Sequence, residues 1–199
     1  MKLIVGLGNP GRGYAGNRHN AGFMCLSHFA RTQGIKLNKK QGKARIGGGE
    51  VVGVELVLAR PQTYMNQSGQ SVKALARKFK VSPGDIIIVH DDLDLPPGKI
   101  RIRRGGGSAG HKGVASVVAE LGSREFVRVR VGIGRPVASD GSEELTEEAI
   151  VDYVLGDFAP EEKLVISRAI PVVGEAILCL LAAGLEIAMN KYNRELTGE

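Results

Sequence analysis

Short apolar runs alternate with amphipathic stretches along this chain. The apolar runs have the length of buried strands and lie at 3–7, 54–58, 86–89 and 129–133. Helix-like periodicity is found near 18–33, 67–80, 111–121 and 146–155. This alternation predicts an α/β fold in which helices cover both faces of one sheet.

The glycine-rich segment from 44 to 60 changes the expected type of sheet. Two strand-like stretches flank its glycines, a pattern typical of a β-hairpin. Because a hairpin is antiparallel, we expect a twisted mixed sheet instead of a purely parallel one. A C-terminal helix is also predicted, with a break or kink at Pro171, since proline removes one backbone donor.

Length and composition indicate a single domain over 1–199. The chain is 43% hydrophobic and shows no repeat or linker, so it can bury one core. The apolar stretch near its end contains Gly184 and Glu186, and we therefore expect no membrane helix. The first residues resemble a strand and not a secretory signal, and Cys25 and Cys179 form no CxxC pair. These features favour a cytoplasmic protein with free thiols and no metal site.

The formal net charge of +6 is unevenly distributed. No acidic residue precedes Glu50, whereas residues 140–162 contain many acidic residues and neither lysine nor arginine. One side of the molecule is therefore expected to be positive, which suits a polyanionic partner approached from that side. A merely solvated surface would explain the same pattern.

The strongest candidate chemistry follows two of the predicted strands. Asn9 and His19 lie in the loop after the first strand, and Asp91 follows the run at 86–89. Neutral imidazole can take a proton from water near pH 7, and a carboxylate on its other ring nitrogen would orient it. No GxSxG segment offers a serine nucleophile, so we expect direct hydrolysis by water. The structural alternative is that His19 caps a helix and Asp91 begins a turn.

Gly6, Gly8 and Gly11 spell GxGxxG after a strand, a pattern found in dinucleotide-binding proteins. That class also needs an acidic residue about twenty positions further on, and none is there. A dehydrogenase is therefore disfavoured. We interpret the glycines as a tight turn that directs Asn9 and Tyr14 inward.

Asn66 lies in the segment PQTYMNQSG, between a predicted strand and a predicted helix. Its amide could join that of Asn9 in positioning water and stabilising a developing oxyanion. Helix capping by Asn66 or Ser68 is the alternative interpretation.

Arginines alternate with apolar residues in two further strand-like segments. This spacing puts Arg103 and Arg130 on strand faces, where their guanidinium groups could clamp a phosphate. Solvent-facing charge is an equally good explanation. The neighbouring loop 103–113 contributes backbone donors and His111, and we interpret it as a flexible gate that favours anions.

Five segments, in this order along nearly the whole chain, together resemble the bacterial peptidyl-tRNA hydrolase family. They are KLIVGLGNPGRGYAGNRHNAG, PQTYMNQSG, HDDLDLPPG, GSAGHKG and FVRVRVGIGRP. The resemblance implies a peptidyl-tRNA hydrolase-like fold and a monomeric, metal-independent esterase that needs no cofactor. Such an enzyme cleaves the ester between a nascent peptide and the 3′ ribose of tRNA, and so recycles tRNA from stalled translation.

The resemblance also implies roles for individual residues. It makes His19 the base and Asp91 its orienting acid, with Asn9 and Asn66 as positioning amides. The implied substrate and tRNA contacts are Tyr14 and Met65 beside the peptide or terminal adenosine, and Arg103 and Arg130 on the 5′ phosphate. His111 and Lys112, in the loop 103–113, are further candidates for contact with the substrate or tRNA.

Lys112 departs from the family pattern, because many members have GHNG where this chain has GHKG. The ammonium group could contact phosphate or point outward, and both roles stay open. A competing hypothesis is an RNA-binding relative without catalytic activity, although Asn9, His19, Asn66 and Asp91 are all retained. The region 135–150 could be a lid over the site or an acidic solvated turn.

Overall fold

The computed structural model describes residues 1–136 and 146–194. Its strands are Lys2–Gly6 (β1), Lys39–Gln41 (β2), Ala44–Val51 (β3), Val54–Pro61 (β4), Ile86–Asp92 (β5), Ile100–Arg104 (β6) and Val127–Gly132 (β7). Its α-helices are Ala21–Thr32 (α1), Ser68–Phe79 (α2), Lys112–Leu121 (α3), Glu147–Leu155 (α4), Pro160–Ala183 (α5) and Leu185–Tyr192 (α6). Short 3-10 helices lie at Arg12–Tyr14, Arg18–Asn20, Met65–Gln67 and Pro83–Asp85.

The strands form one mixed sheet in the order β2-β3-β4-β1-β5-β7-β6. The four inner strands β4, β1, β5 and β7 run parallel, and antiparallel pairs close both edges. The predicted mixed α/β sheet is therefore confirmed, including the hairpin between 44 and 60. The inner strands are buried on both faces, which explains why their sequences are nearly continuous apolar runs.

Alternation along the strands divides the core into two layers. On β1, Ile4 packs into the layer under α1 and α5, whereas Leu3 and Val5 pack under α2 and α3. Each layer is a contiguous apolar cluster, and the sheet lies between them. The helices thus hold the sheet from both sides, as the sequence predicts, and leave the carboxyl ends of the inner strands free for chemistry.

The break predicted at Pro171 is wrong, because α5 continues through it to Ala183 and ends before Gly184, whereas a kink there stays a prediction. An interior proline costs about 3 kcal/mol, but burial of residues such as Val173 and Ile177 against α1 and the sheet offsets that loss. By length and mean hydropathy, which is 2.0, α5 could also cross a bilayer. The absence of a membrane segment stays a prediction.

The loop between β1 and α1 is fastened to the C-terminal helices. Arg18 donates to Glu162 Oε2 at 2.6 Å and to the Tyr153 carbonyl at 3.1 Å, and its guanidinium lies 4.1 Å from the Tyr153 ring centre. Beside it, Asn17 forms an isolated β-bridge with Asp157. Of the candidate lid at 135–150, residues 137–145 lie outside the described part of the chain.

Candidate active site

The carboxyl ends of three inner strands bring the candidate residues together. Asn9 follows β1, Met65 and Asn66 follow β4, and Asp91 is the next-to-last residue of β5. Because these strands are parallel and adjacent, their ends meet at one edge of the sheet, where α/β proteins place their ligands. The sequence-predicted residues on three separate segments thus reach one cavity.

Asp91 binds two histidine rings at once. Its Oδ2 lies 2.8 Å from His19 Nδ1, and its Oδ1 lies 2.9 Å from His111 Nε2. The carboxylate is 2% exposed, so the two rings are its shield from water as well as its hydrogen-bond donors. We refer to these three residues as the His-Asp-His cluster.

Hydrogen bonding fixes the tautomers in this cluster. His111 precedes α3, and its Nδ1 accepts from the backbone N–H groups of Gly113 and Val114. His111 Nε2 must therefore carry the proton and donate it to Asp91. His19 Nδ1 donates to the other carboxylate oxygen, which leaves an unprotonated Nε2 on a neutral His19 ring.

Charge within the cluster sets the proton affinity of His19. Burial lowers the pKa of the His19 ring, but the negative charge and hydrogen bond of Asp91 outweigh burial and raise it above its usual value; the Lys112 cation opposes the rise. Burial would likewise raise the pKa of Asp91, yet His19 and His111 hold it well below its ordinary range. Asp91 is thus ionised, and it stabilises a proton arriving on His19.

The side chain of Asn9 is held in place from two directions. Its Oδ1 accepts from the Met65 backbone N–H at 2.8 Å, while Asn20 bonds both the backbone N–H and the carbonyl of Asn9. These bonds fix the amide orientation, with the Asn9 Nδ2 donor left without a partner among the described residues. That donor is available to a water or a substrate carbonyl.

A cavity of about 720 Å³ opens at this edge of the sheet. Its polar wall includes Asn9, His19, Asn66, Asp91 and Lys112, and α4 supplies an apolar wall through residues such as Val151. Asn66 is exposed and makes no capping bond to α2, and His19 does not cap α1. The capping alternatives for these two residues are therefore wrong.

Two predicted contacts occupy other positions than expected. Tyr14 lines a second, smaller pocket of about 390 Å³ that borders the main cavity at Tyr64. Both ring nitrogens of His111 are bonded within the protein, so this residue supports Asp91 instead of offering a free nitrogen to RNA. Met65 is buried and lines the main cavity.

The glycines of the GxGxxG segment serve helix packing. A methyl group on Gly6 would collide with the Gly22 carbonyl in α1, and one on Gly8 would meet the ring of Phe23. These glycines let the start of α1 lie against the end of β1, which brings His19 toward Asp91. The dinucleotide-binding alternative finds no support here, because Pro10 and two 3-10 turns separate the strand from α1.

Four arginines share one face of the β6–β7 pair, which we name the arginine face. Its members are Arg101, Arg103, Arg128 and Arg130, opposite the apolar residues that point into the core. Arg103 is exposed and lies directly across from Arg128, whereas Arg130 lies across from Arg101. Arg130 also donates through Nε to Asp92, a pair that is nearly buried.

Sequence reasoning missed two residues at this site. His90 is 2% exposed, donates through Nδ1 to the Asp91 carbonyl, and packs edge-on against His111 at 4.8 Å between ring centres. Its Nε2 is buried and has no hydrogen-bond partner within residues 1–136 and 146–194. The second is Asn20, which holds the backbone of Asn9 in place through two hydrogen bonds. Each is adjacent in sequence to a predicted residue, His90 to Asp91 and Asn20 to His19, which is the signal that could have found them.

The cluster also has the composition of a metal site, since its ligand atoms lie within 4.8 Å of one another. Imidazole and carboxylate are ordinary zinc ligands. However, the separations of 2.8 and 2.9 Å between partners are hydrogen-bond lengths, and the Nε2 of His111 carries a proton that a metal would have to displace. The donor set therefore fits a proton-transfer site better than a metal centre, and metal independence stays a prediction.

Known proteins resemble this chain in both sequence and structure. The family model described as peptidyl-tRNA hydrolase matches residues 3–199. A Dehalococcoides mccartyi peptidyl-tRNA hydrolase is 49% identical over 97% of this chain and 100% of its own length, and one from Symbiobacterium thermophilum is 46% identical over 96% and 98%. The crystal structure of the Acinetobacter baumannii peptidyl-tRNA hydrolase has 38% identity and a TM-score of 0.88, over 97% of this chain and 94% of that one. The chain belongs to the peptidyl-tRNA hydrolase family.

Proposed function

We propose that this protein hydrolyses the ester bond between a peptide C-terminus and the 3′ ribose of tRNA. The products are free tRNA and an N-blocked peptide, and the reaction recycles tRNA from stalled or aborted translation. The observation that carries the proposal is the His19–Asp91 pair, held in one tautomer at the wall of a cavity large enough for a peptidyl ester.

The proposed step uses water as the nucleophile. His19 Nε2 takes a proton from water as the oxygen attacks the ester carbonyl, and Asp91 stabilises the imidazolium that forms. The Asn9 amide, which lines the cavity, would donate to the oxygen on which negative charge develops. When the intermediate collapses, the 3′ oxygen leaves and receives the proton from His19, which restores the starting state.

A covalent route has weaker support in the described residues. Burial raises the pKa of the Cys25 thiol to about 12, so this cysteine is not a thiolate near neutral pH. Ser108 lines the cavity, but among the described residues its hydroxyl makes no hydrogen bond to a histidine ring of the cluster. His19 therefore activates water in this proposal, and no acyl-enzyme forms.

The tRNA contact is proposed for the arginine face. Arg103 is exposed there, and Arg130 bonds Asp92 through Nε, so that its terminal nitrogens are left for phosphate. Phosphate contacts supply affinity that falls with salt. We also propose that the protein acts as a monomer, because one chain supplies every described wall of the cavity. A metal-free reaction and a cytoplasmic location are further parts of the proposal.

The deciding experiment is hydrolysis of N-acetylaminoacyl-tRNA by wild type, His19→Ala and the matched control His28→Ala, with EDTA present. Unblocked aminoacyl-tRNA tests specificity. We expect wild type and the control to cleave only the blocked ester, and His19→Ala to lose about 10²- to 10⁴-fold in kcat. Tight tRNA binding by wild type without cleavage would contradict the proposal and favour a non-catalytic RNA-binding protein.

A further inference from the structure

Arg128 is a buried cation that the proposed reaction does not use. It is the second residue of β7, is 3% exposed, and has arginines as neighbours on the arginine face. Burial and the positive charges of Arg103 and Arg130 lower the pKa of its guanidinium to about 10, and Asp92 partly opposes them. A charge in such surroundings is expensive unless its donors are bonded.

Arg128 donates two hydrogen bonds to the glycine loop, residues 105–107. Its Nη1 donates to the Gly107 carbonyl at 2.7 Å, and its Nη2 donates to the Gly105 carbonyl. Between them Gly106 has a φ of 89°, and a methyl group there would collide with the guanidinium groups of Arg103 and Arg128. The loop is therefore folded closely over two members of the arginine face.

The same loop leads directly into the His-Asp-His cluster. Four residues after Gly107, the His111 backbone N–H donates to the Ser108 carbonyl at 3.0 Å, and the His111 ring then bonds Asp91. Ser108, Ala109 and Gly110 line the cavity between these two points. One short, continuous segment thus connects the guanidinium of Arg128 to the carboxylate that orients His19.

We propose that Arg128 is a positioning residue for hydrolysis: by holding the Gly105 and Gly107 carbonyls, it keeps the His111 ring bonded to Asp91. It thereby connects the arginine face to the His-Asp-His cluster. The proposal rests on the proposed hydrolysis of peptidyl-tRNA. Arg128 itself touches neither the ester nor the phosphate. Arg103, which is exposed beside it, is the direct phosphate contact.

Kinetics with two substrates separate these roles. Arg128→Gln, Arg128→Lys, Arg103→Gln and the matched surface control Arg77→Gln on α2 are compared on N-acetylaminoacyl-tRNA and on the same ester of a CCA trinucleotide. We expect Arg128→Gln to lower kcat about 10²-fold on both substrates with little change in KM, because the cluster is displaced. Arg103→Gln should raise KM for the tRNA substrate alone, and Arg128→Lys should recover part of kcat.

Two results would overturn the proposal. A higher KM for tRNA at unchanged kcat would make Arg128 a phosphate ligand, and a lower Tm with kcat per folded molecule unchanged would make it only structural. If Arg128→Gln fails to fold, the Arg128→Lys variant decides between these results.

A measurement independent of turnover separates this inference from the proposed function. In NMR spectra of the wild type, the His111 Nε2–H bonded to Asp91 should exchange slowly with solvent, and Arg128→Lys should broaden or lose that signal while Arg77→Gln keeps it. An unchanged signal would refute positioning by Arg128, whether or not the wild type cleaves either ester.

Discussion

At the scale of single residues, Asp91 binds a different histidine ring with each of its two carboxylate oxygens. Each oxygen accepts one imidazole N–H, so an amide in its place could accept at only one end and would present a donor at the other. Asp91→Asn should therefore force the wrong tautomer on one ring. We expect kcat to fall on the order of 10²- to 10⁴-fold with KM nearly unchanged, measured with N-acetylaminoacyl-tRNA.

The matched control is Asp85→Asn, at the other end of β5, where the carboxylate pairs with Lys2 on the surface. It should leave kcat unaltered. Full activity in Asp91→Asn would mean that the carboxylate does not orient His19.

Lys112 adjusts the pKa of His19 in the direction opposite to Asp91. It lines the cavity, its charge lowers the pKa of the His19 ring, and its Nζ lies 3.4 Å from Glu147. Lys112→Met removes that charge, so the pKa of His19 should rise. Because the base must be neutral, the acid limb of the pH profile of kcat/KM should move to higher pH.

Lys73→Met is the control for Lys112→Met, since Lys73 pairs with Glu120 on the surface in a comparable way. It should leave the profile in place. A shift of the Lys112→Met profile to lower pH would show that Lys112 does not repel the proton on His19.

The sequence could predict the reacting groups because they follow strand ends within recognisable segments. Asn9, His19 and Asp91 were all expected, and all three line the cavity. It could not predict how His111 is used, because its two bonds depend on the exact approach of α3 to β5. The clamp by Arg103 and Arg130 stays a prediction: both lie on the arginine face, and strand register places Arg128 directly across from Arg103.

At the scale of elements, α3 begins on a side chain of the His-Asp-His cluster. His111 accepts from the Gly113 and Val114 backbone N–H groups as the N-cap, and donates to Asp91 with its other nitrogen. His111→Ala loses both functions, whereas His111→Ser restores the cap alone. We expect the alanine variant to have a lower free energy of unfolding than the serine variant by about 1 kcal/mol, and both to show a reduced kcat.

Urea denaturation and steady-state kinetics on both variants check this separation. Wild-type kcat in His111→Ser would show that the bond to Asp91 is dispensable. Equal free energies of unfolding in the two variants would show that the cap contributes no stability.

Elements were predictable where one force dominates. Apolar runs identified the inner strands, because these are buried on both faces, and the glycine-rich 44–60 segment identified the hairpin. The length of α5 was not predictable from local propensity, because packing against α1 and the sheet overrides the cost of Pro171. Burial against the rest of the fold therefore determines the length of α5.

At the scale of the whole molecule, His90 makes stability depend on pH. Burial, together with the neighbouring His111, lowers the pKa of His90 well below its value in an unfolded chain, which is near 6.5. Below about pH 6.5, His90 therefore binds a proton in the unfolded state but not in the folded state. The contribution of His90 to stability is full above that pH and declines as the pH falls; the raised pKa of His19 acts in the opposite direction.

Replacing His90 by Gln should remove this term. Between pH 6.5 and 5, the free energy of unfolding should fall less steeply in His90→Gln than in wild type, by up to about 1.4 kcal/mol per pH unit. Urea denaturation at several pH values measures the slopes, with His28→Gln on the outer side of α1 as the control. Identical slopes in wild type and His90→Gln would refute the assignment.

The bonds between Arg18 and the segment 153–162 also set an order of events during synthesis. The loop that carries His19 emerges early from the ribosome, yet its anchor at Glu162 is translated 144 residues later. Closing so long a separation comes late in folding, because chain entropy opposes it. A nascent chain that stops near residue 150 therefore contains His19, Asp91 and His111 but lacks the segment that fastens the His19 loop. This protein becomes competent only after its own translation has passed beyond that point.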